Sequence, residues 1–138
     1  MTDTLETTIK IDTWDEQPTQ EYDDGTKVAH AVVTLTDGKN GLRSGLLESV
    51  LYYRSDGTSD YVGVIHVEGE LSGKSGSFTA IGEGTYDGTT ATSTMRIVAG
   101  TGGLAGVSGT VSSSSTENDY PNMPLVIAYD MGTARSGE

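Results

Sequence analysis

Glu48 stands in the middle of an apolar run, Leu46-Leu47-Glu48-Ser49-Val50-Leu51. A carboxylate in such a place either faces water or is buried and paired. Period-two alternation groups it with Leu46, Val50 and Tyr52, all of them apolar or aromatic. That grouping predicts that Glu48 points inward. Burial disfavours the charged form of a carboxylate, which suits it to acid or base work near neutral pH. The plainer alternative is a structural carboxylate bonded to a tyrosine or to backbone. Tyr52 and Tyr53 add phenols that could hold a carbonyl, and only one of them can share Glu48's face. These three are the candidate catalytic residues.

Other chemistries find less in the chain. Gly73-Lys74-Ser75 has the ending of a phosphate-binding loop, but Glu68 stands where the motif needs its first glycine, and a β-run follows instead of a helix. Gly100, Gly102 and Ala105 match a dinucleotide fingerprint in spacing, yet Val107-Ser108-Gly109-Thr110-Val111 and four serines come next, which will not hold the helix that meets a pyrophosphate. The only histidines, His30 and His66, fall on different strands without ligand spacing, and there is no cysteine. No metal and no organic cofactor is therefore expected. No Gly-x-Ser-x-Gly elbow is present.

The elements that would position these groups are strands. No segment has a helical period, and nineteen glycines fall between β-branched runs. Eight strands are predicted, at about 7–16, 27–36, 44–54, 59–71, 77–86, 90–99, 110–116 and 125–131. Asp-Gly pairs at 37–38, 56–57 and 87–88 mark turns, since a tight hairpin needs positive φ. Successive short hairpins favour an all-β, up-and-down, eight-stranded antiparallel barrel, with a two-sheet sandwich as runner-up. The chain reads as one domain, 1–138, with frayed ends at about 1–6 and 132–138.

Alternation also proposes pocket residues. Tyr61, Gly63, Ile65 and Val67 form the more evenly apolar face of the fourth strand, while His66 shares a mixed face with Val62, Val64 and Glu68. Met95 and Ile97 are expected inward and Arg96 outward, and Tyr129 lies with Leu125, Ile127 and Met131. Ile65, His66, Met95 and Tyr129 are candidate substrate-binding residues on these grounds, and Trp14 and Ile81 join them through the resemblance given below.

The formal net charge of −12 leaves no basic face for a nucleic acid or an anionic membrane. The N-terminus has no apolar leader and no run is long enough to span a bilayer, so a cytoplasmic location is expected. Both faces of the third strand are apolar, Leu47 and Leu51 against Leu46 and Val50. One of them must be covered, which predicts a homo-oligomer, most simply a dimer.

Four segments carry a resemblance: Trp14-Asp15-Glu16-Gln17-Pro18, Tyr53-Arg54-Ser55-Asp56-Gly57-Thr58, Gly73-Lys74-Ser75-Gly76-Ser77-Phe78 and the stretch from Gly100 to Gly109. With these the chain resembles uncharacterised bacterial proteins of a domain-of-unknown-function family that adopt the allene oxide cyclase-like barrel. The likeness runs over nearly the whole chain. It implies a glutamate at Glu48, whereas Ile65-His66 and Ile81-Gly82 replace the family's Glu-Arg and Gln-His and would leave a greasier cavity. Barrels of the wider superfamily cyclise flexible intermediates by fixing their shape. The resemblance thus implies a cofactor-independent cyclase or isomerase acting on a lipophilic, polyketide-like small molecule in bacterial specialised metabolism. A non-catalytic small-molecule-binding barrel is the alternative, and a solidly packed interaction protein is a third reading.

Overall fold

The computed structural model describes residues 2–131. Its strands are β1 (Asp3–Glu21), β2 (Lys27–Thr36), β3 (Leu42–Tyr53), β4 (Ser59–Leu71), β5 (Lys74–Tyr86), β6 (Thr90–Gly102), β7 (Ser108–Thr116) and β8 (Asn122–Asp130). Each pairs antiparallel with the next, and β8 returns to β1 to close a barrel. Closure removes most of the unpaired edges that an open sheet would expose, leaving β1 beyond Lys10 unpaired with β8.

Three of the four turns at one end share one sequence, Asp-Gly-Thr, at 24–26, 56–58 and 87–89. In each, the aspartate Oδ1 accepts from the threonine N–H two residues on, at 3.0, 2.9 and 2.9 Å, and from its hydroxyl, at 2.6, 2.7 and 3.0 Å. The intervening Gly25, Gly57 and Gly88 sit at φ 89°, 90° and 104°. The short carboxylate replaces a backbone turn bond and glycine supplies the left-handed step. The Thr26 hydroxyl, the Thr58 hydroxyl and the Thr90 N–H hold Asp24, Asp56 and Asp87 below the ordinary carboxyl value. All three are charged at neutral pH.

Several strand limits differ from those read in the sequence. The first six residues are not frayed throughout: Asp3–Lys10 pairs with residues 122–129 of β8. Residues 132–138 lie outside the described part. β1 continues past Pro18 to Glu21 because, beyond Lys10, it pairs with β2 and no longer with β8. A free strand edge tolerates a residue without an N–H. β6 and β7 extend to Gly102 and from Ser108, so the glycine-rich loop shrinks to a few residues. That loop folds across the end of the barrel. A Cβ on Gly100 would come within 2.0 Å of the Leu104 carbonyl oxygen, so only glycine lets Leu104 seat there.

Inward side chains change size along the barrel axis. Toward the loop end stand Leu35, Leu42, Val67, Leu71, Phe78, Ile97, Leu104 and Val107, all buried. Toward the Asp-Gly-Thr end the inward positions become Ala29 and Ala31 on β2, Gly82 and Gly84 on β5, Ala91 and Ser93 on β6, and Ser113 and Ser115 on β7. An eight-stranded barrel has an interior just wide enough for side chains to fill. Large residues fill the closed end, and small ones leave the other end hollow.

Stability should divide the same way. Phe78→Ala is expected to cost about 3–5 kcal/mol through the cavity it leaves in a packed layer. Ser115→Ala at the hollow end is expected to change stability by less than about 0.5 kcal/mol. Denaturant melts of the two variants measure both, and equal losses would contradict a one-sided core.

Candidate functional site

The hollow end holds a cavity of about 370 Å³. Its floor is Val33, Leu47, Ile65, Met95, Val111 and Leu125, and its wall includes Ala31, Ser49, Leu51, Ser59, Ser93 and Ser113. Five aromatic side chains line the upper part: Trp14, Tyr53, Tyr61, Tyr86 and Tyr120. Glu117, Asn122 and Met123 complete the rim beside the free edge of β1.

A glycine makes room for one of these rings, and a carboxylate holds two others. Tyr61 lies over Gly84, where an added Cβ would stand 2.6 Å from the ring. Burial pushes the Tyr61 phenol up, and its hydrogen bond to Ser93 opposes that shift. Tyr53 donates to Glu16 Oε2 at 2.7 Å, and Trp14 Nε1 donates to Glu16 Oε1 at 3.0 Å. Both carboxylate oxygens of Glu16 are thus taken by cavity-lining rings. Burial first, then the hydrogen bond and charge of Glu16, push the Tyr53 phenol well above its ordinary value. Tyr53 is accordingly a neutral donor at any physiological pH. Lys27 Nζ lies 4.9 Å from the Tyr53 ring centroid.

Four of the nine residues chosen from the sequence meet at this cavity: Trp14, Tyr53, Ile65 and Met95. Four others do not. Glu48 faces outward and is exposed, as is Tyr52, which is 43% accessible. In register Glu48 lies between Val32 and Val64, which are themselves exposed. The inward face of β3 is the odd one, Leu47, Ser49, Leu51 and Tyr53. Both faces of this strand are apolar but for one residue each, Ser49 inside and Glu48 outside, so the apolar companions of Glu48 do not mark the inner face. Ile81 and His66 also lie on the outer wall, His66 Nδ1 bonding Thr79 Oγ1 at 3.0 Å. Tyr129 is buried in the closed end, 2.8 Å from Ser72 Oγ, and takes no part in the cavity. Assigning Glu48, Tyr52, His66, Ile81 and Tyr129 to the cavity is therefore corrected.

Glu16 was missed because Asp12 interrupts the alternation. Ile9 and Ile11 face inward, and the register slips between Ile11 and Thr13. The bulge flips the parity, so Trp14 and Glu16 then stand opposite the inward residues Val33 and Ala31. Tyr61, Tyr86 and the serines of β6 and β7 were readable from strand parity. Tyr120 and Glu117 come from a turn, where no period applies.

Among the described residues no group of three or more His, Cys, Asp or Glu is arranged to hold a metal, and no helix is long and apolar enough to cross a membrane. Fold and site together define a closed antiparallel β-barrel with a one-ended, aromatic-rimmed apolar cavity. The chain belongs to the DUF3224 family, whose model, described as a protein of unknown function, matches residues 5–125. It is also similar to the crystal structure of a DUF3224 protein of unknown function from Shewanella oneidensis MR-1. That likeness has a TM-score of 0.67 at 22% identity and covers 93% of this chain and 98% of the other. It shows a shared fold. No curated protein matches the chain.

The Tyr53–Glu16 contact has a direct signature. A phenol held up in the folded state stabilises the fold below its ordinary value, and that contribution is lost as pH rises beyond it. Replacing Glu16 removes two of the three causes of the shift. In an alkaline absorbance titration, Glu16→Gln should bring the last tyrosine to ionise to lower pH, and Tyr53→Phe should remove it. An unchanged titration in Glu16→Gln would refute the contact.

Proposed function

We propose that this protein binds a small, largely apolar organic molecule inside the open half of its barrel. The observation that carries this reading is the cavity of about 370 Å³, walled by Ala31, Ser49, Ser59 and Ser93 over a packed apolar floor. Sites for small molecules run from about 300 to 1,000 Å³, apolar with a few placed polar groups. The serines and tyrosines supply those groups, and the walls supply burial worth about 25 cal/mol per Å² of apolar ligand surface. The neutral lipophile N-phenyl-1-naphthylamine tests the proposal. Its fluorescence should rise on binding, persist in Glu48→Gln, and vanish in a folded Ala31→Leu/Ser93→Leu variant whose cavity is filled. Absence of binding to the unaltered protein, or equal binding to the filled variant, would overturn it.

Cofactor-independent isomerisation or cyclisation is the second reading, and the Glu16–Tyr53 pair favours it. The Tyr53 phenol at the cavity wall can donate a hydrogen bond to a ligand oxygen, while the Glu16 carboxylate beside it takes a proton from one ligand atom and returns it at another. Holding a flexible ligand in one shape lowers the barrier further, by about 7–11 kcal/mol at best. A lipophile recovered from the protein with unchanged mass and altered connectivity would support this, with loss in Tyr53→Phe. Recovery of the same isomer would speak against it.

The outer wall supports a further proposal, that a second copy of the chain covers it. Val50, Val62 and Val64 are 40%, 55% and 43% accessible there. Across β3 to β6 the register runs Glu48, Val64, Ile81, Arg96. This row reads acid, apolar, apolar, base, with strands about 4.8 Å apart. A two-fold axis running along the strands between Val64 and Ile81 would bring Glu48 of one copy toward Arg96 of the other, and Val62 over Glu83. Isologous contacts need such self-complementarity. Light scattering should give twice the chain mass, falling to one chain in Val64→Asp with the barrel intact. A monomer at high concentration would contradict the pairing.

A further inference from the structure

We infer that the cavity selects a lipophilic cation, an amine or quaternary ammonium carrying an apolar body, over a fatty acid or other anionic lipophile. This rests on the binding reading above and adds the charge of the ligand. Among the described residues no lysine, arginine or histidine lines the cavity, and one carboxylate, Glu117, does. A buried anionic head would therefore find no counter-charge there, and leaving it unpaired is costly.

The rim offers a cation two kinds of partner. The rings of Trp14, Tyr53, Tyr86 and Tyr120 line it, and the face of an aromatic ring attracts positive charge. Glu117 stands among them, and Glu16 is fixed behind two of them by its bonds to Tyr53 and Trp14. The four turns around this end add Asp24, Asp56, Asp87 and Asp119, each holding a backbone N–H. These outer charges do not make the site, which is the cavity. They set the sign of the field at its entrance.

Among the described residues, two cations at this end could argue the other way. Arg54 is tied to Asp60 and to the Thr58 hydroxyl. Lys27 rests over the Tyr53 ring at 4.9 Å and does not line the cavity. Its placement sets an ammonium group over one of these rings, Tyr53. A lysine ammonium on a flexible stem is also the one group here that could turn to meet a carboxylate, so its removal belongs in the test.

Calorimetry at low ionic strength with decyltrimethylammonium, decanol and decanoate compares one apolar tail with three head charges. The cation is expected to bind about tenfold or more tightly than the other two, weakening as salt rises. Glu16→Gln/Glu117→Gln should weaken the cation about fivefold or more and leave decanol unchanged, since only the cation uses those charges. Lys27→Met should leave the cation's affinity equal or tighter. The cavity-filled Ala31→Leu/Ser93→Leu variant keeps every acidic group and should bind none of the three. Decanoate binding as tightly as the cation, or decanol binding with no preference for it, would overturn the charge assignment while leaving the binding reading intact. Cation binding undiminished in the filled variant would overturn it as mere surface attraction. Failure of all three ligands would overturn both readings.

Discussion

Closing eight strands into a ring fixes how much space they enclose. Strand number sets the width, so the size of inward side chains alone decides where that space is filled. This chain fills one half and leaves the other open. β2 shows the pattern within a single strand, its inward residues running Ala29, Ala31, Val33, Leu35 from the open end to the closed. β6 repeats it with Ala91, Ser93, Met95 and Ile97. The closed half carries the packing that holds the fold, with Phe78, Leu71 and Leu104 among its fully buried side chains. The open half is free of that duty and can be shaped by what it holds.

The same division organises the charge. Carboxylates that cap the Asp-Gly-Thr turns are needed to turn the chain, and the up-and-down topology gathers all three of these turns at the open end. Turn chemistry and the field at the cavity mouth are thus one feature. Inside that mouth, one aromatic ring sits where glycine faces it, Tyr61 over Gly84. The site is built from backbone-determined features, with Glu16 as the ionisable group anchored to two of its rings.

Much of the fold was legible in the sequence, because its turns announce themselves and its strands are rich in β-branched residues. β2 and β4 were bounded correctly from pattern alone. The candidate site was legible only in part, and the failures are specific. Parity cannot be read from a strand that is apolar on both sides, and β3 is such a strand; its outer side bears Leu46, Val50 and Tyr52 around Glu48. Parity also fails across a bulge, which hid Glu16. Tyr129 was read correctly as inward, but strand alternation says nothing about which layer of the barrel a residue joins. The gradient from small to large residues does say so, and it was present in the sequence of β2 and β6.

A crystal of the protein held under xenon pressure tests the central claim most directly, since xenon enters apolar space without regard to head group or charge. The account predicts density between Ala31, Ser49, Ser93 and Met95, and none in the layer of Phe78 and Leu104. Xenon absent from the open half, with Tyr61 and Met95 swung in to fill it, would show a barrel packed from end to end and contradict the account.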